Sequence, residues 1–141
     1  MINRSLEVLT PEMKEKAEKM LYRLTQKGLL VMISETLRTL DIQEAYMAQG
    51  RDTLENVNKL RVKAGLWKII ESENERKITW TMKSKHLDGK AIDIVPLTPE
   101  GRAWWTAPPA IWEAIGKVGE EVGLNWGGRW KQRDYPHYEI D

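Results

Sequence analysis

The stretch Ser84-Lys85-His86-Leu87-Asp88-Gly89-Lys90-Ala91-Ile92-Asp93-Ile94-Val95-Pro96 decides how this chain is read. Ala91 to Val95 has the pattern of a strand, and Pro96 ends it. Along a strand, Ala91 and Asp93 point to one face while Ile92 and Ile94 point to the other. Asp93 is therefore an acid set among residues that want burial, and a buried carboxylate needs a partner. Gly89 supplies the turn that returns His86 to the side of Asp93. The chain's only other histidine lies in Asp134-Tyr135-Pro136-His137-Tyr138-Glu139-Ile140. Pro136 pushes Tyr135 to an extended conformation. A closing strand over Tyr138 to Ile140 follows, with His137 and Glu139 on one side and Tyr138 and Ile140 on the other.

Outward from these two clusters, helices dominate the first half. Thr10 caps a helix that Pro11 and Glu12 open, with Met13, Ala17, Met20, Leu21 and Leu24 on one face and Gly28 as its stop. Leu29 to Ile33 reads as a buried strand. A second helix is expected over Thr39 to Gln49, and a third carries Leu54, Val57, Leu60 and Ala64 before Gly65. Glu71 to Lys77 reads as a charged turn, and Ile78 to Met82 alternates like a half-buried strand. Residues 97 to 109 form a packed loop with Trp104 and Trp105. The last helix presents Ile111, Trp112, Ile115, Val118 and Val122 on one side and stops at Gly123. Helices come first and short strands mix in later, which predicts an α+β fold.

The chain has 141 residues, the size of one domain, so 1–141 is expected to be a single unit. It has no cysteine, which excludes disulfides and thiolate metal sites. Its formal net charge of +1 argues against a nucleic-acid binder, which wants a basic excess. No stretch approaches the ~20 apolar residues of a membrane span. The N-terminus lacks the apolar core of a signal peptide. The protein is thus expected to stay where it is made until something releases it.

A catalytic zinc takes three protein ligands and keeps one position open for water. His86, Asp93 and His137 are of the right types. The spacing alone does not decide between that and a simpler arrangement. In the simpler one the histidines are merely hydrogen-bonded, Asp93 pairs with Lys90 or an arginine, and Asp88 and Asp134 are turn residues.

The wider string of residues is more specific. Ser84-x-His86-x-x-Gly89-x-Ala91-x-Asp93, followed by Asp134-x-x-His137, resembles the zinc peptidases that cut D-amino-acid-containing peptides of bacterial cell walls. That family includes D-Ala-D-Ala carboxypeptidases and dipeptidases, and the L-alanyl-D-glutamate endopeptidases of phage endolysins. Ser34-Glu35-Thr36-Leu37-Arg38-Thr39, with Gln43, Tyr46, Gly50 and Arg51, is similar to the family's arginine segment. Leu124-Asn125-Trp126-Gly127-Gly128-x-Trp130 is similar to its tryptophan-glycine segment. The likeness spans roughly residues 29–140 and is greatest to the phage endolysin branch. The chain departs from it at Thr36-Leu37-Arg38-Thr39, where many relatives have Gly-Tyr-Arg-Ser. Arg129 stands where many have Asp, and residues 52–77 are longer and more charged.

The resemblance implies a small antiparallel sheet flanked by helices, with the zinc site at the sheet. It implies His86, Asp93 and His137 as ligands of one zinc ion per chain and Asp134 as general base. Arg38 would stabilise developing negative charge. Ser84 and Gln43 would contact substrate or support the groups that do. Trp130, with Trp126, would line the groove, and Glu139 would hold a ligand histidine by its other nitrogen. The implied partner is the peptidoglycan stem peptide, cut between L-Ala and D-Glu by a monomer that neither inserts in a membrane nor binds nucleic acid. The alternatives are a D-Ala-D-Ala carboxypeptidase and a zinc-stabilised wall-binding module without hydrolysis. A lysin would remain in the host cytoplasm until it is released to the wall.

Overall fold

The computed structural model describes residues 1–141 as five helices and a four-stranded antiparallel sheet. The helices are α1 (Pro11–Gln26), α2 (Leu40–Ala48), α3 (Leu54–Lys63), α4 (Glu71–Asn74) and α5 (Pro109–Glu121). The strands are β1 (Val31–Glu35), β2 (Ala91–Pro96), β3 (Asn125–Trp126) and β4 (His137–Glu139), in the spatial order β1-β2-β4-β3. This is the α+β architecture expected from the sequence. No helix is long and apolar enough to cross a membrane.

Each of the first three helices starts on a threonine. The hydroxyls of Thr10, Thr39 and Thr53 accept from the backbone amides of Met13, Ile42 and Asn56. Such caps satisfy amides that have no partner inside the helix. α1 buries Met13, Ala17, Met20 and Leu24, and α5 buries Trp112, Ile115 and Val118. Both helices pack on the sheet face made by Ile92, Ile94, Trp126 and Tyr138. Gly116 and Gly119 let α5 come close. A Cβ on Gly116 would meet the Trp126 ring at 2.4 Å, and one on Gly119 would meet the Tyr138 ring at 2.6 Å. A smaller apolar cluster of Ile42, Ala45 and Leu66 ties α2 to the turn after α3.

Several elements differ from expectation. The first strand lies two residues further on, at 31–35, and reaches Glu35. Glu71–Asn74 is a short helix within the expected charged turn, where the Glu73 carboxylate accepts from the Ile70 amide. Ile78 to Met82 is not a strand. Thr79 faces inward at 9% exposure, while Trp80 is 57% exposed and Ile78, Thr81 and Met82 are also exposed. Side chains take the place of a partner strand there. Gln43 Nε2 donates to Thr79 Oγ1 and to the Thr81 carbonyl, and Arg51 Nη2 donates to the Thr79 carbonyl.

Candidate metal centre and active site

The sheet's second face carries the polar residues of β2 and β4. Asp93 stands opposite His137 in the antiparallel register. His86 arrives from a 3-10 turn, Lys85–Asp88, whose first amides are capped by Ser84: its Oγ accepts from the His86 amide at 3.2 Å. Gly89 ends that turn at φ +69°, a left-handed conformation that favours glycine. A Cβ there would also crowd the Val8 carbonyl at 3.1 Å. The chain then enters β2 with His86 beside Asp93.

Three ligand atoms converge. His86 Nε2 lies 3.1 Å and His137 Nδ1 lies 3.2 Å from the same oxygen, Asp93 Oδ1. The donor atoms of all three residues lie within 4.8 Å of one another. The outer nitrogen of each ring has an acceptor: His86 Nδ1 donates to the Thr36 carbonyl at 2.7 Å, and His137 Nε2 donates to Glu139 Oε1 at 2.7 Å. Outer acceptors of this kind fix the ring orientation and leave the inner nitrogens free to ligate. Both rings are buried, and Asp93 keeps a fifth of its side-chain surface open. Two imidazoles, one carboxylate and an open side suit a catalytic zinc.

The electrostatics agree. Burial alone would raise the Asp93 carboxyl, but the two imidazoles overcome it and hold Asp93 well below the usual carboxylate range. Burial opposes charge on His137, yet Asp93 and Glu139 push its pKa up to about 9. The pocket is therefore built for positive charge between its rings and Asp93.

Asp134 flanks this cluster, with Oδ2 4.0 Å from His137 Nδ1 and half of its side chain exposed. Burial of its carboxyl, reinforced by the negative charge of Asp93, raises its pKa. The Gly127 carbonyl holds it in place by accepting from the Asp134 amide at 2.9 Å and from the Trp130 amide at 3.2 Å. A Cβ on Gly127 would sit 2.4 Å from the Asp134 carbonyl oxygen. Trp130 is partly exposed, and its ring lies 5.1 Å from that of His137.

Arg38 completes the site. Its amide donates to the His86 carbonyl at 3.0 Å. Its Nε donates to Glu35 Oε2 at 3.1 Å, its Nη2 to Glu35 Oε1, and its Nη1 to Gln43 Oε1 at 2.8 Å. Its guanidinium carbon lies 4.8 Å from the centre of the Tyr46 ring. Gln43, expected at the substrate or behind it, is fully buried and serves Arg38 from behind. Ser84 serves as the cap of the His86 turn. Trp126 is core rather than groove: it is 2% exposed and donates to the Tyr135 carbonyl. Arg129 pairs with Glu113 and Glu120.

Three contributors escape a reading of the sequence. Glu35 was detectable as an acid three residues before Arg38. The Thr36 carbonyl and the tight fit of Gly127 leave no side-chain signature.

The fold is a metallopeptidase-like one, a small antiparallel sheet flanked by helices, with a His-Asp-His cluster on the sheet that could hold a metal ion. Residues 77–140, which carry all three converging groups and Asp134, match the family described as D-alanyl-D-alanine carboxypeptidase. The chain is 25% identical over 142 residues to the peptidoglycan L-alanyl-D-glutamate endopeptidase CwlK of Bacillus subtilis (strain 168), spanning 94% of this chain and 73% of that protein. Its fold is that of the Serratia marcescens L-Ala D-Glu endopeptidase ChiX (TM-score 0.62, 23% identity, 100% of this chain and 89% of that one). The zinc-bound D,D-pentapeptidase VanY shares it too (TM-score 0.57, 11% identity, 94% and 72%).

Gly127→Ala should push the Asp134 backbone away from its anchor. The expected result is a protein destabilised by about 1–3 kcal/mol, the usual cost of overpacking. Urea unfolding measures the loss; an unchanged midpoint would mean that the Asp134 loop has room to move.

Proposed function

We propose that this protein is a zinc-dependent peptidoglycan endopeptidase that cleaves the L-Ala–D-Glu bond of the stem peptide and acts as a lysin. The observation that carries the reading is the convergence of His86, Asp93 and His137 on one point with Asp134 beside it. The likeness to CwlK and ChiX, both described as endopeptidases for this bond, supports the choice of substrate. In this reading the enzyme is a monomer, made in the cytoplasm of a phage host and released to the wall.

Bound by His86, Asp93 and His137, zinc would act as a Lewis acid that acidifies water and polarises a carbonyl. Asp134 takes the proton of the attacking water and delivers it to the leaving amine nitrogen. A carboxyl with a raised pKa suits both halves of that task. Arg38 offers the N–H groups left free by Glu35 and Gln43 to the oxygen on which negative charge develops. Trp130, open to solvent beside His137, walls the groove. A wall-binding module would have no use for a base at Asp134 or for a braced arginine.

The metal is tested first. Purified protein should hold about one equivalent of zinc by elemental analysis, as a single three-ligand site requires. His86→Ala and His137→Ala should lose it, and chelation should lower Tm, because metal binding contributes to folding. Full wall hydrolysis in excess chelator would overturn zinc dependence.

Asp134→Asn should keep its zinc and its fold but lose turnover by roughly 10²–10⁴-fold, the range of general acid–base catalysis. Near-normal hydrolysis of purified wall by that variant would remove Asp134 from the reaction.

The bond is identified by mass spectrometry of digested wall. Cleavage one residue from the sugar severs cross-links, so turbidity should fall while peptides with a new N-terminal D-Glu appear. Release of free D-Ala at constant turbidity would favour the carboxypeptidase instead.

A further inference from the structure

Glu35 is the one deeply buried acid to which the proposed chemistry assigns no part. It is 5% exposed and ends β1 just after an irregularity in the ladder: Ile33 pairs with Ile94, yet Glu35, two residues on, pairs with Asp93, one residue back. The extra residue, Ser34, is a bulge, a device that re-aims a side chain next to a functional site. It sets the Glu35 carboxylate beside the metal-ligating strand, where two neighbouring acids would repel unless a cation stood between them.

Arg38 is that cation, and its donors can be counted. A guanidinium has five N–H groups in a rigid fork. Glu35 takes one on Nε and one on Nη2, and Gln43 takes one on Nη1. Two remain, one on each terminal nitrogen. The Tyr46 ring fixes the plane of the fork. Gln43 cannot swing away, because its own Nε2 is tied to Thr79 Oγ1 and the Thr81 carbonyl. Every acceptor that grips Arg38 is thus itself buried and immobile, and the guanidinium is oriented before any substrate arrives.

We propose that Glu35 is a positioning residue: with Gln43 it forms a guanidinium receptor that holds Arg38 with two donors free for the substrate. Its consequence for turnover rests on the peptidase reading. The receptor itself does not, since it is a matter of binding. Glu35 touches neither substrate nor metal and acts through Arg38 alone.

The test empties the receptor and refills it. Arg38→Ala should bind free guanidinium ion at millimolar concentration, read by NMR shifts of the backbone amides of residues 35 to 43, and guanidinium should restore part of its wall hydrolysis. Glu35→Gln/Arg38→Ala should show neither response at the same concentrations. Glu35→Gln alone should lower kcat by roughly 10–100-fold, the scale of a misplaced catalytic contact, with zinc content unchanged. On the Arg38→Ala background the same substitution should change kcat less than about twofold, as expected for residues that act as a unit. Equal guanidinium binding with and without Glu35, or losses that multiply across the two substitutions, would overturn the proposal. Should Glu35→Gln fail to fold, Gln43→Met/Arg38→Ala removes the other receptor oxygen without stranding a charge. It should weaken guanidinium binding several-fold, and unaltered binding would equally overturn the proposal. If no variant or wild-type protein cleaves wall, the peptidase reading falls while the binding result still decides the receptor.

Discussion

One carboxylate oxygen, Asp93 Oδ1, lies within hydrogen-bond reach of two imidazoles on the central strand of the sheet. That contact depends on a register. Because side chains alternate along a strand, a one-residue slip of β4 against β2 would turn His137 into the core and Tyr138 out of it. The slip is blocked from the other face, where Ile92, Ile94 and Tyr138 are fully enclosed under α1 and α5. The apolar face thus sets the geometry of the polar one. Gly116 and Gly119 belong to the same constraint, since the aromatic rings that lock the register need a helix face without side chains.

A site assembled this way concentrates acids. Glu35, Asp93, Asp134 and Glu139 all lie close to two histidines and one arginine. The arrangement holds because each acid has a different partner. Glu139 holds the outer nitrogen of His137, Asp93 meets the inner nitrogens of both rings, Glu35 is neutralised by Arg38, and Asp134 alone is half open to water. Its environment separates it from Asp93. The imidazoles drive the Asp93 carboxyl down, whereas burial and the charge of Asp93 drive that of Asp134 up. Two carboxylates pushed apart in this way are suited to different roles, and under the proposed reaction Asp93 is the fixed anion and Asp134 the proton carrier.

The parts of this design legible in the sequence are those encoded by local pattern. Gly89 between His86 and Asp93, Pro136 before His137, and the alternation through both strands set the local geometry of the two segments, while spacing alone leaves their convergence open. The cap at Thr10 announces its helix. What stays hidden is what depends on long-range partners. The alternation at Ile78 to Met82 is symmetrical, so it cannot say which face turns inward. Only Gln43 and Arg51, far off in the chain, draw Thr79 in. Gln43 reads equally as a solvated helix residue until Arg38 and Thr79 are seen on either side of it. β3 is two residues long and has no periodicity to detect.

The charged segment from 52 to 77 acquires a purpose on the same terms. It makes little apolar core and is held by buried polar side chains instead. Asn58 grips both backbone groups of Ile69, while Arg61 donates to the Trp67 carbonyl and to Gln49. Asn74 accepts from the Gly50 amide and donates to the Asp52 carbonyl. These bonds pin the end of α2 and the turn after it, which carries Arg51. Arg51 in turn fixes the Thr79 carbonyl, Thr79 and Thr81 fix Gln43, and Gln43 fixes Arg38. The chain is buried at Gln43 and Thr79, and there each polar group depends on its partner. The helical lobe thereby serves the site at a distance. It reaches the metal pocket through hydrogen bonds rather than through apolar packing, which is why a segment rich in charge can brace a rigid arginine.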